Sequence, residues 1–169
     1  MYRLGNVIAS TKIGGKFDLE YLSEILNNAQ YEPEQFPGLV YRKEYTIIMF
    51  YSGKISSHGT SNLVSAVLAI EETILEIEKA HGIIGSSEYS VPTIENIVAT
   101  GDLFHKVDLI EKSQERNVMY EPDQFPGLMA RPFDDSIVCL IFSTGKFNIV
   151  GAKNVDQINK AYEFLVNKY

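Results

Sequence analysis

The sequence predicts an α+β fold built from two copies of one unit, and three observations lead there. Residues 31–39 read Tyr-Glu-Pro-Glu-Gln-Phe-Pro-Gly-Leu, and residues 120–128 repeat them with one charge-conserving change. Flanking segments return at a spacing of about 90 residues: Gly5-Asn6-Val7-Ile8-Ala9-Ser10 as Glu95-Asn96-Ile97-Val98-Ala99-Thr100, and Met49-Phe50-Tyr51-Ser52-Gly53-Lys54 as Ile141-Phe142-Ser143-Thr144-Gly145-Lys146. Each copy also runs through the same order of patterns: strand, short helix, three-strand meander, long helix. A unit of about 85 to 90 residues is too long for a solenoid repeat and fits a half-domain. The two copies, residues 1–88 and 89–169, are expected to pack about a pseudo-twofold axis, as homodimer subunits do. The extra residues of copy two fall at Pro132-Phe133-Asp134-Asp135.

The first strand is read over residues 3–12, where Val7, Ile8 and Ala9 stand in loose alternation. Gly14-Gly15 ends it. Asp18 is a good N-cap, and Leu19, Leu22, Ile25 and Leu26 recur at helical spacing until Asn27-Asn28. In the repeated loop, Phe36 precedes Pro37 and is pushed toward extended backbone. Three strands follow, at residues 39–42, 45–51 and 54–58, with links as short as those of an antiparallel meander. Thr60-Ser61-Asn62 offers caps for a long helix to about Lys79. Its Leu63, Val67, Ile70, Ile74 and Ile77 should face the sheet, with Val64, Leu68 and Leu75 widening that stripe. Glu72 and Glu76 should face water.

Copy two repeats the order, with a strand at 94–102, a short helix near 107–116, three strands, and a last helix over 155–166. The buried stripe of that helix is Ile158, Ala161, Tyr162 and Leu165. The expected assembly is one antiparallel sheet with its helices on one face, the other face being left as a binding surface.

Composition narrows the function. Apolar content of 45% and charged content of 22% are ordinary for a globular chain, and no apolar run reaches membrane-spanning length. The lone Cys139 sits in an apolar strand, so it reads as a core side chain in a reducing, intracellular setting. Catalysis finds no Ser-His-Asp order, no metal-ligand cluster and no complete phosphate loop. No cofactor, metal or catalytic residue is expected. The net charge of −7 speaks against nucleic acid unless charge is segregated by face. The pattern segregates it: acids crowd the helices, while Arg42, Lys54, Arg131, Lys146 and Lys153 lie on or beside the strands.

If the helices cover Val7, Ala9, Ile97 and Ala99, then Asn6, Ile8, Ser10, Asn96, Val98 and Thr100 face outward. Such a set suits the DNA minor groove. There A·T pairs show only acceptors, and aliphatic neighbours leave a guanine amino group unsatisfied. Phe36 and Phe125, on Pro-stiffened loops, and Phe50 and Phe142, at strand ends, could unstack base pairs and kink a duplex. The five cations would hold phosphates.

Taken with Gly151-Ala152-Lys153, these motifs resemble the TATA-binding protein family over nearly the whole chain, most like its compact archaeal kind. The resemblance implies a saddle: a ten-stranded antiparallel sheet with double-stranded DNA under its concave face and four helices on the convex one. It also implies a bend of roughly 80°, this family being the standard example of such kinking. Phe36 with Phe50, and Phe125 with Phe142, flanked by Pro37 and Pro126, would wedge the two ends of a TATA element. Glu121, Asp123 and Gln124 would dock transcription factor B and so bring RNA polymerase. The setting would be archaeal cytoplasm at the nucleoid, or a nucleus in a eukaryote, with no membrane involved.

The chain departs from the family at the last outward strand positions. These are Ser56 and His58 in copy one and Asn148 and Val150 in copy two, where Val and Thr are usual. Gly59-Thr60-Ser61 replaces Gly-Ala-Lys and loses a lysine. The half-site under copy one is therefore expected to tolerate more substitutions. The alternative function is a divergent paralogue with weakened DNA binding that acts as a protein-interaction scaffold or regulator.

Overall fold

The computed structural model describes residues 1–133 and 136–169. Of the expected insertion in copy two, Asp134 and Asp135 lie outside the described residues. Two compact units emerge: Asn6–Glu95, and Met1–Gly5 with Asn96–Tyr169.

In the first unit, β1 (Tyr2–Lys12, from Asn6 onward), β4 (Gly38–Arg42), β5 (Thr46–Phe50) and β6 (Lys54–Thr60) form the body of the sheet. A two-residue β3 (Ala29–Gln30) is added at the edge. α1 (Leu19–Ile25) and α2 (Leu63–Lys79) are the helices. A small separate pairing joins β2 (Lys16–Phe17) to β7 (Ile83–Ile84). The second unit repeats the plan with β8 (Thr93–Asp102, from Asn96 onward), β9 (Val118–Met119), β10 (Leu128–Ala130), β11 (Val138–Ile141) and β12 (Lys146–Ala152). Its helices are α3 (Leu109–Lys112) and α4 (Val155–Lys168). The main sheet is antiparallel with ten strands, in the order β3-β4-β5-β6-β1-β8-β12-β11-β10-β9.

Helix starts follow the sequence closely because the caps are local. The Asp18 carboxylate accepts from Tyr21 N, and Asn62 Oδ1 accepts from Val64 N and Ser65 N. The expected helix at 107–116 shrinks to the four residues of α3, capped by Asp108. The edge strands β3 and β9 were not read from the pattern, although the ten strands that the resemblance implies include them. Two residues carry no periodicity; the signal for them is Asn28 and Asn117, both at positive φ, which turn the chain back onto the sheet.

The core lies on one face of each half. Val7, Ala9, Leu39, Ile47, Met49 and Ile55 are fully buried in the first, and Ile97, Ala99, Leu128, Ile141 and Ile149 in the second. Cys139 is fully buried with them, and burial pushes its thiol up to about 12.

α2 departs from the expected stripe. Val64, Leu68 and Leu75 are 64%, 45% and 51% exposed, whereas Ala66, Ala69 and Thr73 are buried beside Ile70, Ile74 and Ile77. The small residues let the helix sit close on β6, where the Ser57 hydroxyl donates to the Ala66 carbonyl at 2.7 Å. That close seat rotates the bulky residues at its margin into solvent. Each fully buried isoleucine contributes roughly 1.5 to 3 kcal/mol. Glu76, expected to face water, accepts from the Tyr41 hydroxyl at 3.0 Å and pairs with Lys43 at 2.6 Å. On α4, Ile158, Ala161 and Leu165 are buried, while Tyr162 is half-buried and its hydroxyl accepts from the amino terminus. No helix among the described residues is long and apolar enough to cross a membrane.

Candidate nucleic-acid interface

The face opposite each core is where the sequence placed its outward residues. Strand register lays them out in rows. In the first half Val40, Ile48, Ser56 and Ser10 sit opposite one another across β4, β5, β6 and β1. In the second, Met129, Leu140, Asn148 and Thr100 form the matching row. Each row runs from aliphatic side chains beside the phenylalanines to hydroxyl or amide groups beside the asparagines. Val40, Ile48, Met129 and Leu140 are half-buried members that sequence reasoning missed. Alternation alone could have found Ile48, since Ile47 and Met49 on either side are fully buried.

Asn6 and Asn96 share one device. Asn6 Oδ1 accepts from Gly59 N at 2.9 Å, and Asn96 Oδ1 accepts from Gly151 N at 3.0 Å. Both glycines have positive φ, 87° and 95°, and both stand where the strand register shifts. The bulge frees a backbone N–H, and the asparagine carbonyl takes it. With that oxygen engaged, each side-chain amide is oriented by its bond, leaving the NH₂ group as its donor. Ile8, Val98 and Val150 are half-buried beside them.

The repeated nonapeptide folds identically twice. The Glu32 carbonyl accepts from Gln35 N and Phe36 N, and the Glu121 carbonyl from Gln124 N and Phe125 N, each at 2.9 Å. Phe36 packs edge-on against Phe50 at 5.8 Å between ring centroids, and Phe125 against Phe142 at 5.9 Å. None of these four rings is buried; Phe36 is 39% exposed, and Pro37 and Pro126 are exposed beside them. The pairing requires glycine next door. A Cβ on Gly38 would lie 2.7 Å from the Phe36 ring and 3.1 Å from Phe50, and one on Gly127 2.6 Å from Phe125 and 3.1 Å from Phe142. Glu121, Asp123 and Gln124 are exposed on the second loop.

The cations are arranged less evenly. Arg42, Lys54, Lys146 and Lys153 are exposed and Arg131 is half-exposed. Arg42 donates to Gln30 Oε1 at 3.2 Å. Lys54 stands opposite Lys12, whereas Lys146 stands opposite Asp102. Lys12, overlooked in the sequence, follows Ser10 on the same side of β1.

Ser10 and Ser56 depart from expectation. They lie on the uncovered face yet are only 6% and 8% exposed. The Ser10 hydroxyl donates to Glu95 Oε1 at 2.8 Å, and Ser56 Oγ hydrogen-bonds His58 Nε2 at 3.0 Å. Longer neighbours therefore cap both serines.

Two outcomes follow. Gly127→Ala must push the Phe125 and Phe142 rings apart, and the expected loss is roughly 1 to 3 kcal/mol in guanidinium denaturation; an unchanged midpoint would show that the rings accommodate a methyl. Burial lowers the His58 pKa below its ordinary value. On acidification the unfolded chain therefore takes up that proton first. The His58 contribution is intact above about pH 6.5 and is lost as pH falls toward the folded-state value. Denaturation midpoints of His58→Thr should drop less than those of the parent between about pH 7.5 and 5.5. Parallel drops would remove His58 as the cause.

Comparison with known proteins agrees with this geometry. A profile of the family described as "Transcription factor TFIID (or TATA-binding protein, TBP)" matches residues 1–80 and 91–168. The TATA-box-binding protein of Methanococcus maripaludis (strain C7) is 42% identical over 164 residues, 95% of this chain and 89% of that protein. That of Methanocaldococcus jannaschii is 39% identical over 169 residues, 98% of this chain and 91% of that protein. The solved structure of Methanococcus jannaschii TBP superposes with a TM-score of 0.85 at 39% identity, covering 98% of this chain and 96% of that one. Sequence and fold agree: the chain belongs to the TATA-binding protein family.

Proposed function

We propose that this chain is a general transcription initiation factor that binds A·T-rich, TATA-type promoter DNA in the minor groove, bends it, and recruits transcription factor B and RNA polymerase. The observation that carries the reading is the twice-built constellation of an amide donor, an aliphatic row and an exposed phenylalanine pair. Family membership supports it. The Asn6 and Asn96 amides donate to A N3 or T O2, the only minor-groove groups that A·T pairs present. Ile8, Val98, Val40, Ile48, Met129 and Leu140 supply an apolar floor that offers guanine N2 no acceptor. Phe36 with Phe50, and Phe125 with Phe142, enter base steps next to Pro37 and Pro126. The unstacking costs a few kcal/mol per step and is offset by contact with the bent duplex. Arg42, Lys54, Arg131, Lys146 and Lys153 hold phosphates, so affinity falls with salt.

Val150 and His58 flank the two asparagines, while Asn148 and Thr100 add polar groups to the second row. Glu121, Asp123 and Gln124 form an acidic, solvent-facing loop suited to a basic patch on transcription factor B. The chain acts in the cytoplasm at the nucleoid if archaeal.

A second reading, a paralogue that regulates transcription through protein contacts, is favoured by the capped Ser10 and Ser56 in the first half. A gel shift on a TATA duplex separates the two readings. The sharper experiment is Phe125→Ala with Phe142→Ala. Energy transfer between dyes on the duplex ends should lose its protein-induced rise while the thermal melting curve stays cooperative. Undiminished transfer would exclude these rings as wedges.

A further inference from the structure

We propose that Glu95 is a base-reading residue. Its carboxylate accepts a hydrogen bond from a guanine N2 amino group, so that the half-site under the first unit, Asn6–Glu95, takes one G·C pair where the second unit takes A·T. The inference rests on the minor-groove reading above.

Glu95 stands on the uncovered face. Ile94 borders an apolar groove with Leu63, Val67 and Leu68 of α2, on the helix-covered side. Glu95 lines one recess with Ser10, Lys12 and Lys54 of that face, and its Oε1 meets the Ser10 hydroxyl there at 2.8 Å. The repeat makes Gly5 its counterpart. A Cβ on Gly5 would come within 3.3 Å of the Thr100 methyl, so Gly5 stands beside Thr100 as Glu95 stands beside Ser10. Where the first unit carries a carboxylate, the second carries no side chain. The recesses differ to match: about 520 Å³ around Thr100, Lys146 and Asn148, and about 280 Å³ around Ser10, Lys54 and Glu95.

The chemistry is one-sided. An ionised carboxylate only accepts. An A·T pair shows only A N3 and T O2 in the minor groove, both acceptors, and repels it. Guanine N2 is the one donor the groove offers. Ser10 cannot rescue an A·T contact while its proton is engaged by Glu95; Thr100 has no such neighbour. Lys12 and Lys54 line the same recess and offset the carboxylate's repulsion toward phosphates.

The test is a replacement series on an A·T-rich duplex. Each A·T pair is exchanged in turn for G·C and for inosine·C, which lacks the N2 amino group, and binding is read by fluorescence anisotropy. At one position G·C should bind about tenfold tighter than inosine·C. Glu95→Ala should equalise the two, and at all other positions G·C should bind no tighter than inosine·C. If no position prefers G·C over inosine·C, or if the preference survives Glu95→Ala, the inference is overturned and minor-groove binding stands. If no duplex in the series binds, both are overturned.

Discussion

A hydrogen bond made twice sets the geometry of this molecule's open face: the asparagine side-chain oxygen to the backbone N–H of a bulged glycine. A bulge costs the ladder a partner; at the half-buried Gly151 N–H an absent acceptor would cost about 1 to 3 kcal/mol, whereas the exposed Gly59 N–H can turn to water. The asparagine removes that cost and becomes oriented in doing so. Under the proposed minor-groove reading, structure and recognition share one contact. An aspartate could accept equally well from the glycine but would carry charge and no donor. A leucine would leave the N–H unmatched.

The two halves obey the same plan and differ in charge. The first unit has Lys12 facing Lys54, with Glu95 against Ser10 and His58 against Ser56. The second unit has Asp102 facing Lys146, with Gly5 at the position of Glu95. Duplication supplies the scaffold; the buried positions stay apolar in both halves, as in Val7 and Ile97 or Ile47 and Cys139, while charge and polarity change at the outward ones.

Much of this was legible in the chain. Helix starts were readable because Asp18 and Asn62 act within a turn, and the core strands because Ile47 and Met49 alternate with Ile48. The repeat exposed the phenylalanine pairs before any geometry was known. What stayed hidden depends on distance along the chain. Periodicity put Val64, Leu68 and Leu75 in the core, but the close seat of α2 on Ser57 chose Ala66, Ala69 and Thr73. Edge strands of two residues carry no pattern. The capping of Ser10 by a residue 85 positions away is a tertiary event that composition cannot announce. Glu95 itself was visible in the repeat as the mismatch to Gly5.

The most direct measurement asks which groove the amides meet. A TATA duplex can carry 3-deazaadenine, which deletes the minor-groove N3 acceptor, or 7-deazaadenine, which deletes the major-groove N7. Donation by Asn6 and Asn96 predicts weakened binding with 3-deazaadenine at the central pairs and unchanged binding with 7-deazaadenine. The reverse pattern, or equal affinity for both, would contradict recognition through the minor groove.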